Sequence, residues 1–300
     1  MSGGSARSGR RAAGPSAGSN EAVSVVVSTC NWPEALDAVL RGLAAQSEPA
    51  FDVVVADDGS TSDTAEMVAR WTALLGDRLV HAWQPDEGFR LARVRNLGAA
   101  AARGTYLVFV DGDCIPRRHF VAAIRRGCVP GWFLASTRLQ LGESLSRTVL
   151  RDHVPIGTWS TAALIARGRG DIRGLGHLTP RDRRRAWRPG LPDFAPHGNA
   201  YGFCTGVARA DFEAVNGFDG RFVGWGDQDV DLAVRLGRRG LRCGYAGPRS
   251  AMLHLWHPSN APEERPTWWL LQETIASDRT EALDGYRELV SAPGVVGPRR

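Results

Sequence analysis

From residue 23 to about residue 126, short apolar β-branched runs alternate with amphipathic stretches of helical period, and this alternation constrains the fold more than any other feature. Residues 23–28 read as a buried strand. Pro33 then suits the first turn of a helix that carries Leu36, Val39, Leu40 and Leu43 on one face. Residues 52–56 form the next strand, and Asp57-Asp58-Gly59-Ser60-Thr61 is a turn and N-cap signal. A helix bearing Ala65, Met67, Val68 and Trp71 follows, and residues 79–83 make a third strand. Residues 91–102 are helical and 105–110 give a fourth, wholly apolar strand. Strands separated by helices of roughly 10–15 residues fold as a mostly parallel, Rossmann-like α/β sheet flanked by helices. Such sheets bind their ligands at the carboxyl ends of the strands.

The polar motifs fall at those ends. The fourth strand runs into Asp111-Gly112-Asp113, two carboxylates one residue apart. They suit one hard divalent cation, Mn²⁺ or Mg²⁺, which in turn neutralises a diphosphate. Taken alone the same residues also fit a solvated Asp-Gly turn. The first strand ends in Ser28-Thr29-Cys30-Asn31 and the second in Asp57-Asp58-Gly59-Ser60, so three strand ends carry small polar or acidic groups. Those groups suit a ribose and an uncharged base, and a carboxylate is an acceptor for the N3–H of uracil. Arg90, Arg93 and Arg95 then cluster at a helix start, where guanidinium groups and free amides favour phosphate oxygens.

The second half is less regular. Gly224-Trp225-Gly226-Asp227-Gln228-Asp229-Val230-Asp231 opens a helix over 227–240 that ends at Gly240. Acids in a first turn serve as dipole partners or caps. An aromatic flanked by glycines suggests in addition a surface that stacks on a sugar, with Asp229 or Asp227 as general base towards an acceptor hydroxyl. His254-Leu255-Trp256-His257 offers two imidazoles, and a cation held by two carboxylates has room for a third protein ligand. Residues 167–188, with Arg-Asp-Arg-Arg-Arg at 181–185, read as a long loop that presents a solvated face or touches an acceptor. Residues 262–277 read as a terminal helix.

Together these motifs resemble the inverting glycosyltransferases of family 2, which have the GT-A fold. The resemblance runs from about residue 23 to residue 258. It implies that Ser28, Thr29 and Asn31 line the nucleotide, that Asp57 and Asp58 read the base, and that Asp58 is the uracil contact. It also implies that Asp111 and Asp113 form the DxD metal motif, with Asp113 the more direct ligand. Residues 86–98 look most like the chondroitin and hyaluronan polymerase branch, which places Arg95 and Asn96 near the donor sugar and diphosphate, beside the Arg90 of the same cluster. The stretch from Trp225 is similar to the Trp-Gly-Gly-Glu-Asp motif of β-1,4-galactosyltransferase-like C-terminal regions. Carried over, Trp225 and Gly226 lie against the bound substrates, Asp229 is the base, Asp227 caps the helix and Asp231 supports the fold. Asp227 and Gln228 depart from the motif's Gly and Glu, and Gln228 cannot ionise. His254 is the implied late metal ligand, with His257 second.

The resulting expectation is a single GT-A domain over residues 22–260, with a nucleotide-binding half (22–114) and an acceptor-binding half (115–260). A disordered tail (1–21) precedes it, and a helix and tail (261–300) follow. The donor is a nucleotide-sugar, with UDP favoured; the acceptor is a glycan, a natural product or a peptide. A nucleotidyltransferase that makes nucleotide sugars has a similar sheet, but residues 28–32 lack the Gly-rich phosphate loop. A basic nucleic-acid-binding module is the non-enzymatic rival. No nucleic-acid motif accompanies the arginines, and the acidic strand edge repels phosphates without a metal. Lys+Arg exceed Asp+Glu by 37 to 32, and all of those cations are arginines, a mild excess that suits a diphosphate ligand. Cys30, Cys114, Cys128, Cys204 and Cys243 are odd in number and lack zinc spacing. With no apolar run of about 20 residues and no signal peptide, the chain reads as cytoplasmic, without an integral membrane segment.

Overall fold

A computed structural model describes residues 21–168, 170–178, 203–258 and 266–292. The alternating first half folds as its pattern requires: β1 (Val23–Thr29), α1 (Pro33–Ala44), β2 (Phe51–Asp58), α2 (Ser62–Leu75), β3 (Leu79–Gln84), α3 (Leu91–Ala101) and β4 (Tyr106–Asp111). Beyond it come β5 (Cys114–Pro116), α4 (Phe120–Gly127), β6 (Trp132–Ala135), β7 (Arg138–Leu141), α5 (Glu143–Arg151), α6 (Thr161–Arg167) and β8 (Ile172–Arg173). The last described elements are β9 (Cys204–Ala208), α7 (Arg209–Ala214), α8 (Gln228–Arg238), β10 (Arg242–Tyr245), β11 (Met252–His254), α9 (Trp268–Ala276) and α10 (Tyr286–Ser291).

Seven strands form the main sheet in the order β10-β6-β9-β4-β1-β2-β3. The run β4-β1-β2-β3 is parallel, while β9 enters antiparallel between β4 and β6. Alternate residues of β1 explain the layering. Val23, Val25 and Val27 pack with Leu36, Leu40 and Leu43 of α1 on one face. Val26 packs with Val54 of β2 and with Val94 and Leu97 of α3 on the other. Both faces are therefore covered, and the middles of β1, β2 and β4 read as unbroken apolar runs. A second sheet, β5-β11-β7-β8, stands beside the first and carries the chain from Asp113 to the late histidines.

The strands run further than their apolar cores suggested. The first reaches Thr29, the second Asp58 and the fourth Asp111, so the polar groups belong to the strands themselves. The helix expected over 227–240 spans Gln228–Arg238, with Gly240 at a positive φ just beyond it. The expected terminal helix begins at Trp268; its proposed first residues overlap 259–265, which lie outside the described residues. The arginine-rich stretch is described only to residue 178, apart from 169, and there it holds the end of α6 and β8. Its Arg-Asp-Arg-Arg-Arg run lies outside the described residues, as do residues 1–20 of the expected tail.

Candidate active site

Register places the site before any side chain is considered. In the parallel ladders Ser28 pairs with Asp111 and Thr29 with Asp57, which brings the ends of β1, β2 and β4 to one edge. Gly112 makes the turn after β4 feasible, because a Cβ there would lie 2.6 Å from the Ser28 carbonyl oxygen. The chain folds against β1 and enters β5, where Cys114 pairs antiparallel with His254 of β11. The Leu255 amide donates to the Asp113 carbonyl at 3.0 Å and locks that pairing.

Asp113 thereby meets two imidazoles. Its Oδ2 lies 3.4 Å from His254 Nε2 and 3.3 Å from His257 Nε2. The two rings are 5.1 Å apart, and Trp32 stands edge-on to His257 at 6.0 Å. Burial raises the Asp113 carboxyl, but hydrogen bonds from both histidines outweigh it and hold the group well below the ordinary range. His257 is correspondingly raised, chiefly by its bond to Asp113. One ligand atom each from Asp113, His254 and His257 lies within 4.8 Å of the others, and Asp111, Asp113 and Cys114 form a second such set. Asp113 Oδ1 and His254 Nδ1 are buried without a hydrogen-bond partner. Buried polar atoms seldom stay unpaired; carboxylate oxygens suit Mn²⁺ or Mg²⁺, and the imidazole nitrogens favour the transition ion of the two. The residues present therefore fit a divalent cation.

The other carboxylate of the pair faces a different partner. Asp111 Oδ1 accepts from Arg95 Nη2 at 2.8 Å, while Arg95 Nη1 donates to Asp229 Oδ1 at 2.6 Å and Arg95 Nε to Ser28 Oγ at 3.2 Å. Arg95, on the inner face of α3, has a side chain only 1% exposed. Burial raises the Asp111 carboxyl, against the opposing charge of Arg95. Asp229 is pushed up to about 7, again by burial and again against Arg95. Ser28, Asp111, Arg95 and Asp229 thus form one connected group at the sheet edge.

A second group forms around β2. Asp57 is buried, with Oδ1 accepting from the Ser60 amide at 2.9 Å and Oδ2 lying 2.9 Å from His81 Nε2, so its carboxylate shapes the turn. Asp58 accepts from Gln84 Nε2 at 2.6 Å and from the Arg90 amide at 2.8 Å. Arg93 continues this chain to Gln84 Oε1 at 2.7 Å. Asn31, at φ 48°, accepts from the Thr61 amide at 2.9 Å and donates its own amide to Ser60 Oγ at 2.8 Å, tying the first two loops together. Asn96 faces elsewhere: its side chain brackets the Phe218 backbone, donating to the carbonyl at 2.8 Å and accepting from the amide at 2.9 Å.

Trp225 is 46% exposed between Gly224 (φ 94°) and Gly226 (φ 110°). The Gly224 amide donates to the Phe89 carbonyl at 2.8 Å, and Thr267 Oγ1 donates to the Gly226 carbonyl at 3.2 Å. The tryptophan loop is so fastened to the Arg90 loop on one side and to α9 on the other. Asp227 occupies the N-cap position of α8 at φ 69°, but its side chain makes no cap bond; its carbonyl accepts from the Asp231 amide at 2.9 Å. Asp231 points away from the site, to Arg235 at 2.6 Å and Thr274 Oγ1 at 2.7 Å. Sequence reasoning singled out neither Gln84 nor Phe218. Gln84 ends β3 on the same edge as Asp58, a signal in register that becomes visible once the strand order is known.

The site's framework matches known families in two places. The model of Glycosyl transferase family 2 matches residues 24–125, and that of the N-terminal domain of galactosyltransferase matches residues 190–258. A validoxylamine A glucosyltransferase of Streptomyces hygroscopicus subsp. jinggangensis is 29% identical over 268 residues, covering 81% of this chain and 56% of that protein. An Escherichia coli chondroitin synthase is 25% identical over 256 residues, covering 81% of this chain and 36% of the synthase. The chain therefore spans about half, or less, of the length of these relatives. Among solved structures, GalNAc-T7 with UDP, GalNAc and Mn²⁺ superposes with a TM-score of 0.58 at 15% identity, covering 85% of this chain and 48% of that one. Residues 24–125 thus match glycosyl transferase family 2 and residues 190–258 match a galactosyltransferase domain, and the fold that carries both is GT-A.

Proposed function

We propose that the chain is a metal-dependent, inverting glycosyltransferase that moves a sugar from a UDP-sugar to a nucleophilic acceptor on a glycan, a natural product or a peptide. One observation carries the reading. Arg95 links Asp111 to Asp229 at the same strand edge where Asp113 gathers His254 and His257. A cation position and a candidate base therefore share one frame, as a single displacement at an anomeric carbon requires. Asp113, Asp111 and His254, with His257 beside them, would hold Mn²⁺ or Mg²⁺. When bound, the ion supplies positive charge for a departing diphosphate.

Asp229 takes the proton of the acceptor hydroxyl, and a carboxyl raised to about 7 is matched to that task near neutral pH. Asp58, already fixed by Gln84 and the Arg90 amide, presents its remaining lone pairs to the base. Ser28, Thr29 and Asn31 line the ribose side, Arg90 lies towards the phosphates, and Trp225 with Gly226 offers a face to the acceptor. The names of the relatives support both a natural-product acceptor and a glycan acceptor, and the GalNAc-T7 complex supports UDP and Mn²⁺. Among the described residues no helix is long and apolar enough to cross a membrane. The five cysteines are free thiols, in keeping with a cytoplasmic setting. Hydrolysis of UDP- and GDP-sugars with Mn²⁺ tests the proposal. The expected result is turnover of a UDP-sugar that stops in excess EDTA; no turnover of any donor, or full rates in EDTA, would overturn it.

A further inference from the structure

We infer that Arg95 is a positioning residue, which holds Asp229 at a set distance from the metal-side carboxylate Asp111, rather than a ligand of the donor diphosphate. The inference rests on the reading of Asp229 as base. Each nitrogen of the guanidinium serves a different element: Nε donates to Ser28 of β1, Nη2 to Asp111 of β4 and Nη1 to Asp229 of α8. The Phe218 ring lies 5.3 Å beneath the group, and the neighbouring Asn96 holds the Phe218 backbone by both its amide and its carbonyl. Successive residues of α3 thus fix the guanidinium and the surface it rests on. A side chain 1% exposed and engaged on every nitrogen has little to offer a phosphate arriving from solvent.

Asp229 sits in the first turn of α8, directly after a turn in which Gly224, Gly226 and Asp227 all have positive φ, and its carboxylate reaches back to the strand edge. A planar fork can grip two carboxylates on separate elements at once, whereas an ammonium is a single point charge. Asp229 in the structure is held by Arg95 at 2.6 Å, and the same group holds Asp111 at 2.8 Å. The separation of the two acids is therefore set by the width of one guanidinium.

The test compares Arg95→Lys in the wild-type and Asp229→Asn backgrounds, using the UDP-sugar turned over in the donor screen and calorimetry of UDP with Mn²⁺. A misplaced base costs on the order of 10²-fold in rate, so Arg95→Lys should lower kcat by about that factor. Donor KM and UDP affinity should change far less than kcat, since Asp113 and its two histidines keep the cation position and the main loss falls on the reacting geometry. In the Asp229→Asn background the same substitution should cost less than about threefold, because the group it positions is already disabled. Phe218→Leu, which keeps the guanidinium and removes its support, should give a smaller kcat loss that collapses in the same way; it serves if Arg95→Lys does not fold. Equal losses in both backgrounds, or a loss confined to donor KM and UDP affinity, overturn the inference while the proposed function stands. If Asp229→Asn is as fast as wild type, Asp229 is not the base and the inference falls with that reading.

Discussion

At Asp229 burial and charge pull in opposite directions. Burial drives its carboxyl up, Arg95 draws it down, and the balance is about 7 against an unfolded value of 3.8. A general base works only when ionised, so kcat/KM should climb with pH through about 7 and level off above it. The sign for stability is opposite. The folded chain binds this proton more tightly than the unfolded one, so the group's stabilising contribution is present below 3.8 and is lost as pH rises through about 7. Asp229→Asn should lower kcat by about 10²–10⁴-fold and abolish the acidic limb, with UDP affinity unchanged. Rates for Asp227→Asn and Asp231→Asn, measured beside it, check the assignment. An inactive Asp227→Asn with an active Asp229→Asn would show that the base had been misplaced. Asp111 and Asp113 stood out by type and spacing, His254 and Asp229 by resemblance to a family motif, and the structure brings all four to one strand edge. Arg95 was expected near the diphosphate; its guanidinium is buried and bonded to Ser28, Asp111 and Asp229. Spacing along α3 gives no information about which strand a long side chain reaches.

Elements differ in how much of them a sequence reveals. In the first half each main-sheet strand has six to eight residues, and β1, β2 and β4 each hold an unbroken apolar stretch (residues 25–27, 53–56 and 106–110), which made them visible in the sequence. In the second half the strands shrink to between two and five residues, too short for any period to register. Their pairing is also remote: β4 finds β9 far along the chain and β5 finds β11, so neither partner announces the other. Helix α8 shows what an element needs beyond propensity. Its Asp231 and Arg235 form an ion pair with both side chains 0% exposed, and Arg235 also donates to the Val215 and Gly217 carbonyls at 2.7 and 2.8 Å. Removing one partner of a buried pair leaves an uncompensated charge, at a cost of about 3–5 kcal/mol. Asp231→Ala should therefore destabilise the fold by about that amount in denaturant titration. A change below about 1 kcal/mol, the value of an exposed pair, would refute the structural role given to Asp231.

At the scale of the whole molecule, two sheets meet where the chemistry is concentrated. The main sheet supplies Asp58, Asp111 and, through α3, Arg95, while the small sheet carries Asp113 and His254 to the same edge. The sequence pointed to one mostly parallel sheet, with His254 as a metal ligand by resemblance and His257 second; the small sheet and the convergence of both histidines on Asp113 were not foreseen. That convergence depends on the antiparallel register of two three-residue strands. The central claim is that this edge binds a nucleotide through a metal held by Asp113. The direct measurement is calorimetry of UDP with wild-type protein and Asp113→Ala, each with Mn²⁺ and with EDTA. Metal ligands must be deprotonated, and His257 is raised by Asp113, so metal-dependent binding should also weaken as pH falls. The account predicts UDP binding by the wild type in Mn²⁺ alone, lost in EDTA and lost in a folded Asp113→Ala; equal affinity with and without the metal, or in the variant, would contradict it.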